Sequence, residues 1–298
     1  MEKFTGVHET INIKSKLMNK NITGLQIVST PIGNLNDISQ RAVETIKNCD
    51  LVVCENPNHS LKLLNKLGIK KKLIALHDHN EKNIINKLSK DLKIKSVVLI
   101  SDAGSPLISD PGFKLVQFCI KNKIDITTVP GANAIIPALQ LSGIPINEFY
   151  FAGFFPKTKN QIDSFFNNVE SVNKTTVFFV SSHKVKLCTE YLEKKFKDRQ
   201  ISICKELTKL NEKVFRGLGS EILQKLITEN SNFKGEFVFI ISAKASKKPE
   251  VFDLKDYRTE IKKLLTKFSL TDVVEIVHKL SGITKNKVYK WVLSIKNL

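Results

Sequence analysis

The chain has 298 residues, 42% of them hydrophobic, with 47 Lys+Arg against 29 Asp+Glu for a formal net charge of +18 and a pI near 9.6. At ~150 residues per domain this length predicts two domains, or two and a small appendage, and so large an apolar fraction excludes a disordered chain. No apolar run reaches the ~20 residues of a membrane-spanning helix, and the charge points to a polyanionic partner, nucleic acid first, with a merely lysine-rich composition as the plain alternative.

Residues 1–24 read as an N-terminal extension, carrying Lys3, Lys14, Lys16 and Lys20 but no apolar core of a secretory signal. A first α/β domain is predicted over 25–146, where short β-branched runs alternate with amphipathic stretches. Its strands are Leu25–Thr30, Leu51–Cys54, Lys72–Leu76, Ser96–Ser101 and Ile124–Val129, with helices near 38–47, 59–67, 81–91, 112–122 and 133–142. Asp37, with Gln40 three residues on, is the expected cap of the first helix, and Gly68 is expected to close the second. Such alternation predicts right-handed crossovers and a mostly parallel, doubly wound sheet.

A second α/β domain is predicted over 147–245, with strands at Glu148–Phe154, Lys174–Val180, Gln200–Cys204 and Gly235–Ser242 and helices near 159–170, 182–193 and 219–228. Ala-Lys-Ala-Ser-Lys-Lys-Pro-Glu at 243–250 has linker composition and places a linker at 246–253. Residues 254–298 form a basic helical domain: a helix over Leu254–Lys267, a second capped by Ser269 or Thr271, and a third after Ser281-Gly282-Ile283-Thr284. Two helices joined by a glycine turn with an inward Ile283 suggest a helix-turn-helix. The last of them carries Lys285, Lys287 and Lys290, so the appendage reads either as a nucleic-acid contact or as a packing bundle. The five cysteines contain no CxxC pair, and Cys54, Cys119 and Cys204 lie in apolar runs, which predicts a reduced, cytoplasmic protein with no metal.

Ligands of open α/β sheets bind beyond the carboxyl ends of the strands. Three predicted strands end in Gly/Pro turns: Pro31-Ile32-Gly33-Asn34, Asp102-Ala103-Gly104-Ser105-Pro106 and Pro130-Gly131-Ala132. Glycine there lets backbone approach a ligand and offers N–H groups to it. Asp102 suits a ribose hydroxyl or a cation. No GxGxxG or P-loop follows a strand, so neither of those nucleotide sites is expected. His77-Asp78-His79-Asn80 follows the third strand, either as a polar turn in which Asn80 caps the next helix or as a substrate contact and proton handler at His77 and Asp78.

Three segments carry a family resemblance: Val28–Ile38, Ala75–Glu81 and Ser101–Gly112, with Gly153–Pro156, Lys205–Lys209 and Lys234–Val238 following in the same order. Through them the chain resembles the tetrapyrrole-methylase-like methyltransferases, in the branch that acts on ribosomal RNA. The resemblance implies two α/β domains with S-adenosylmethionine in the cleft between them, usually in a homodimer. It also implies 2′-O-methylation of a cytidine in the decoding region of 16S rRNA, taken free or in the assembled 30S subunit. By the family pattern the three turns cradle the cofactor, and Glu206 and Gly235 complete the pocket. Where the family has an Asp-Thr-Arg stretch after Glu55 this chain has Asn56-Pro57-Asn58, a family acid is replaced by Val180, and a Pro-Gly-Pro turn has become Pro130-Gly131-Ala132.

Transfer to a hydroxyl needs in-line alignment and loss of a proton. Candidate bases are His77, Asp78, Asp102 and Glu55, while Lys184, Lys205 and Lys209 read as phosphate contacts. A tetrapyrrole substrate, or an RNA-binding assembly factor with weakened catalysis, are the competing expectations.

Overall fold

A computed structural model of the chain describes residues 22–228, 233–244 and 254–296. Most of the N-terminal extension, up to residue 21, and the linker expected at 246–253 lie outside the described residues. The chain divides into two compact units, Met1–Lys244 and Ala245–Leu298.

In the first unit, β1 (Gly24–Val28), β2 (Leu51–Cys54), β3 (Leu73–Ala75), β4 (Ser96–Ile100) and β5 (Ile126–Val129) form a sheet of order β3-β2-β4-β1-β5. Every pairing is parallel. Side chains alternate faces along a strand. Leu51, Val53, Val97 and Leu99 therefore meet α3 (Glu81–Leu88), α4 (Asp91–Ile94) and α5 (Phe113–Lys121) on one side. Val52, Cys54, Val98 and Ile100 meet α1 (Gln40–Asn48) and α2 (Pro57–Lys66) on the other. All five cysteines are buried free thiols.

Two caps differ from expectation. Ser39, not Asp37, caps α1: its backbone is extended and its hydroxyl accepts from the Ala42 N–H, whereas Asp37 lies in a preceding 3-10 turn capped by Asn34. The second helix starts at Pro57, with Asn56 accepting from Asn58 and His59, so the Asn-Pro pair is an N-cap with proline in the first turn. Asn80 precedes α3, but its side chain accepts from the His77 N–H (2.9 Å) and donates to the Ala75 carbonyl (3.1 Å) instead of capping the helix.

The second sheet is mixed. It contains β6 (Phe149–Phe154), β7 (Thr175–Ser181), β8 (Ile201–Lys205), β9 (Lys213–Gly217) and β10 (Glu236–Ile241) in the order β6-β7-β10-β8-β9, parallel only between β6 and β7. The edge strand β9 was not expected from the sequence, because it buries only Phe215 and carries Lys213 and Arg216, as edge strands do. One face packs on α7 (Lys159–Val172), α8 (Val185–Lys195) and α9 (Gly219–Thr228) through Phe166, Phe178, Leu192 and Phe239. The other face is covered by α6 (Ile135–Ser142), which the sequence assigns to the first domain: Ile135, Ala138 and Leu139 pack with Val177, Val238 and Ile240.

In the second unit, α10 (Arg258–Leu265), α11 (Leu270–Ser281) and α12 (Lys285–Lys296) enclose a core that includes Ile261, Val273, Val277, Val288 and Val292. Ser269, rather than Thr271, caps α11. Gly282 turns the chain at φ +68, and His278 Nδ1 lies 2.6 Å from the Ile283 carbonyl, locking the turn before α12.

Glu81 is 3% exposed, and its Oε1 accepts from the N–H of Leu115 at 3.1 Å in the first turn of α5. Gly112 precedes that helix and has no side chain to cap it, so a buried carboxylate on α3 supplies the cap. Glu81→Ala should lower the unfolding free energy by about 2 kcal/mol, the worth of a hydrogen bond to a charged group, read as a shift in urea midpoint at constant slope.

Candidate functional site

The three glycine turns converge at the carboxyl ends of β1, β4 and β5. Thr30 and Gly104 exchange backbone hydrogen bonds of 2.8 and 3.0 Å, an isolated bridge between the first two turns. The Ser29 and Ser105 hydroxyls lie 2.9 Å apart, and Ser105 Oγ donates to the Ala132 carbonyl at 3.3 Å, which ties in the third turn. Gly104 sits at φ +81, where a Cβ would stand 3.3 Å from Ile32 Cγ2. At Gly131 a Cβ would stand 3.0 Å from Ser29 Cβ, so the Pro130-Gly131-Ala132 turn closes against β1.

Gly33 and Asn34 serve a different purpose. The Asn34 N–H donates to Thr208 Oγ1 at 3.2 Å, and a Cβ at Gly33 would overlap Lys209 Cγ at 2.4 Å. Both residues therefore seal the first turn to the β8–β9 loop. In that loop Glu206 Oε1 accepts from the Glu236 N–H (2.8 Å) and from Lys209 Nζ (3.0 Å), and a Cβ at Gly235 would collide with it. Burial opposes ionisation of Glu206, but these donors outweigh it and hold the carboxyl below its usual range. Lys209, expected to meet phosphate, is instead committed to the carboxylates of Glu206 and Glu236, each at 3.0 Å.

Between the two sheets lies a cavity of about 460 Å³. Of the residues expected to hold a cofactor, Asp102, Ala103, Gly104, Ser105 and Gly235 line it, whereas Pro31, Gly33, Asn34, Pro106, Pro130, Gly131, Ala132 and Glu206 do not. Its walls are largely apolar (Ile32, Ile135, Phe179, Val238), with Asn133, Ser181 and Ser182 among the polar exceptions. Val180, the position of the missing family acid, is buried in the wall.

Glu55, His77 and Asp78 do not line the cavity: they follow β2 and β3, one and two strands along the sheet from β4, which Asp102 follows. They form one electrostatic cluster with it. Burial raises the Glu55 carboxyl, and the Asp102 and Asp78 charges raise it further against His77. The Asn56 N–H donates to Asp102 Oδ1 at 3.2 Å, so the departure from the family pattern still positions the acid in the turn.

The cavity also exposes an acid not singled out from the sequence. Asp110 lies in the loop between β4 and α5, where Leu107 and Ser109 take left-handed φ values of +74 and +70. Burial first, then the Glu55 carboxylate, push its carboxyl up to about 6. The signal was present: an acid before Pro111-Gly112, inside one of the segments that carry the resemblance. Among the expected phosphate contacts, Lys184 Nζ donates to the Pro156 carbonyl (3.0 Å) and Lys205 Nζ stands 5.8 Å from the centre of the Phe237 ring. On α12, Lys285, Lys287 and Lys290 are exposed, with Lys285 3.8 Å from Glu275.

A carboxyl with a raised folded-state pKa binds its proton more tightly folded than unfolded, so keeping Asp110 ionised works against folding. That penalty is complete above pH ~6 and fades as pH falls toward the unfolded carboxyl value of ~4. Asp110→Asn should therefore raise the melting temperature at pH 7.5, with a smaller gain at pH 5, measured by calorimetry.

The family model for Tetrapyrrole (Corrin/Porphyrin) Methylases matches residues 24–223. A protein of Haemophilus influenzae named Ribosomal RNA small subunit methyltransferase I is 38% identical over 278 residues, 92% of this chain and 98% of its own length. A protein of the same name from Thermotoga maritima is 38% identical over 221 residues, 74% of this chain and 98% of its own length. In structure, a diphthine synthase superposes with a TM-score of 0.55 at 16% identity, over 73% of this chain and 89% of that one. With a parallel and a mixed sheet facing one apolar cavity at the ends of three glycine turns, and with relatives this similar over this much of its length, the chain belongs to the tetrapyrrole (corrin/porphyrin) methylase family.

Proposed function

We propose that this protein 2′-O-methylates a cytidine ribose in the decoding region of small-subunit rRNA, as a cytoplasmic homodimer that takes either the RNA or the assembled 30S subunit. The observation that carries this reading is the 38% identity over 92% of the chain to a relative named for the small-subunit RNA.

S-adenosylmethionine is the methyl donor of this family, and the cavity fits it. Its ~300–1,000 Å³ class includes the observed 460 Å³. Gly104 leaves backbone bare at the floor, and a Cβ there would reach toward Ile32 and Asn133. Asp102, Gly104, Ser105 and Asn133 would hold the polar parts of the cofactor, with Ile32, Ile135 and Val238 against its apolar surface. When bound it supplies a methyl group activated by a sulfonium. The chain's own residues supply the rest: the apolar walls exclude water, and the Asp110 carboxylate accepts the proton of the ribose hydroxyl. Asp110 takes this role over Glu55, His77 and Asp78 because it faces the cavity and they do not. Of the other carboxylates there, Glu236 is paired with Lys209 and Asp102 accepts from the Asn56 N–H, while Asp110, although the Ser101 hydroxyl donates to it, has its carboxyl raised to about 6, the range of a base.

The C-terminal helices supply RNA affinity. The Thermotoga relative is spanned almost completely by 221 matched residues, so a methylase core exists without so long a chain. In this protein the exposed lysines of α12 contact phosphate.

Gly104→Val should abolish S-adenosylmethionine binding by calorimetry while the circular-dichroism spectrum stays native, since a β-branched residue fills the floor and resists φ +81. Asp110→Asn should keep cofactor binding and lose about 10²–10⁴-fold in turnover. The wild-type rate should fall as pH drops below about 6, where the base takes up its proton. Cofactor binding without methyl incorporation into any small-subunit substrate would favour the assembly-factor reading that Asn56 and Val180 suggest. Replacing Lys285, Lys287 and Lys290 by Ala should flatten the log-affinity versus log-salt slope for the subunit by about two to three units, leaving cofactor affinity unchanged.

A further inference from the structure

The edge strand β6 carries a feature used neither by the proposed cofactor contacts nor by proton transfer. Its register against β7 runs regularly from Phe149↔Thr175 to Phe151↔Val177, then shifts so that Phe154 opposes Phe179. One extra residue has been inserted, and Gly153 sits there at φ +74. A Cβ at Gly153 would meet nothing within 4 Å. Glycine is thus required for its backbone conformation, not for room, and it makes a bulge of the kind that re-aims a side chain.

The two phenylalanines after the bulge part company. Phe155 is 3% exposed and packs with Phe165, Phe166 and Phe178 in the core. Phe154 is 60% exposed, lines the cavity, and rests with its ring centre 5.2 Å from that of Phe179. The core does not need that ring, and an aromatic face left open in a cavity wall is a surface on which a base can stack.

Two cations follow nearby in the chain: Lys157, three residues after Phe154, and Lys184, just after β7, whose Nζ reaches the carbonyl of Pro156, two residues from Phe154. Lys184 Nζ donates to the Pro156 carbonyl at 3.0 Å, and among the described residues the charge that acts on it is the second ammonium, with no carboxylate paired to it. Burial and the Lys157 charge both depress its pKa. Such a pair gains a counter-charge when a phosphate arrives.

We propose that Phe154 is the stacking platform for an unstacked base of single-stranded RNA at the methylation site, and that Lys157 and Lys184 hold the phosphate of the same nucleotide. This rests on the ribosomal RNA reading above. A ribose hydroxyl reaches an enclosed site only if its nucleotide leaves the helical stack, and a ring plus a cation pair is the chemistry that receives it.

The test measures binding of a short single-stranded RNA with the decoding-region sequence by fluorescence anisotropy, methyl transfer to the small subunit, and S-adenosylmethionine affinity by calorimetry. Phe154→Ala should weaken RNA binding and raise KM for the subunit by about 10- to 100-fold, with cofactor affinity unchanged. Phe154→Trp should restore both to within a few-fold of wild type. Lys157→Ala with Lys184→Ala should flatten the salt slope by about 0.7, the value for one phosphate of a single strand no longer neutralised by the protein. Unchanged RNA binding in Phe154→Ala overturns the proposal, as does wild-type protein that does not bind the RNA. Loss of cofactor affinity in Phe154→Ala overturns it too, by assigning the ring to the cofactor. Wild-type protein that binds the RNA through Phe154 but methylates no subunit would instead refute the proposed function and leave the platform standing.

Discussion

One apolar core holds both sheets in register, and the cavity exists because of it. Helix α6 follows the first sheet in the chain, yet its apolar face is buried against the second, with Ile135, Ala138 and Leu139 packed on Val177, Val238 and Ile240 and joined by Ile32 from the first turn. Each such large side chain contributes roughly 1.5–3 kcal/mol by burial, so the two walls cannot swing apart without losing several of them together. The seam is then pinned at its rim. Arg216 on β9 donates to the Leu141 carbonyl near the end of α6, and Asn34 donates to Thr208. These contacts give the bare backbone of Gly33 and Gly104 a meaning: one admits a neighbouring loop, the other leaves the floor of the cavity open.

The cavity is chemically two-sided. On the first-sheet side Asp102 and Asp110 line it, and Glu55, outside the lining at the end of β2, raises the proton affinity of Asp110, with Asp102 adding to both. The second sheet contributes an exposed ring, Phe154, to the lining, and outside it Lys157 and Lys184 follow β6 and β7. In the proposed binding mode a polyanion attracted by a net charge of +18 is repelled by the first wall and received by the second. In the proposed reaction, phosphate and base therefore lie against the second half, and only the uncharged ribose hydroxyl meets the acids. Acids raised toward neutrality and backbone held at left-handed φ, as at Leu107 and Ser109, both work against folding and are the kind of cost that gathers at functional sites.

Much of this was legible in the sequence. Short apolar runs such as Leu51–Cys54 and Ser96–Ser101 marked the first sheet, because both faces of a parallel strand must be apolar. The Gly/Pro turns announced where the strand ends would meet. What escaped is long-range. Strand β9 is charged and buries one residue, so nothing local marks it. Helix α6 looks like any amphipathic crossover, and only the fold reveals which sheet it covers. Asp110 and Phe154 stood inside segments already singled out, but their meaning came from exposure: one acid among several faces the cavity, and one of two adjacent phenylalanines leaves the core. Lys209 reads as a free cation until Glu206 and Glu236 are brought to it.

In the proposed function this cavity delivers a methyl group to a ribose of small-subunit RNA. The most direct measurement supplies methyl-labelled S-adenosylmethionine with deproteinised and assembled small subunits in parallel, then locates the label by nuclease digestion and mass spectrometry. The label is expected on the 2′-oxygen of a single cytidine in the decoding region, in at least one of the two substrates. Label on a base, at scattered positions, or absent from RNA while a tetrapyrrole accepts it would rule out the proposed function.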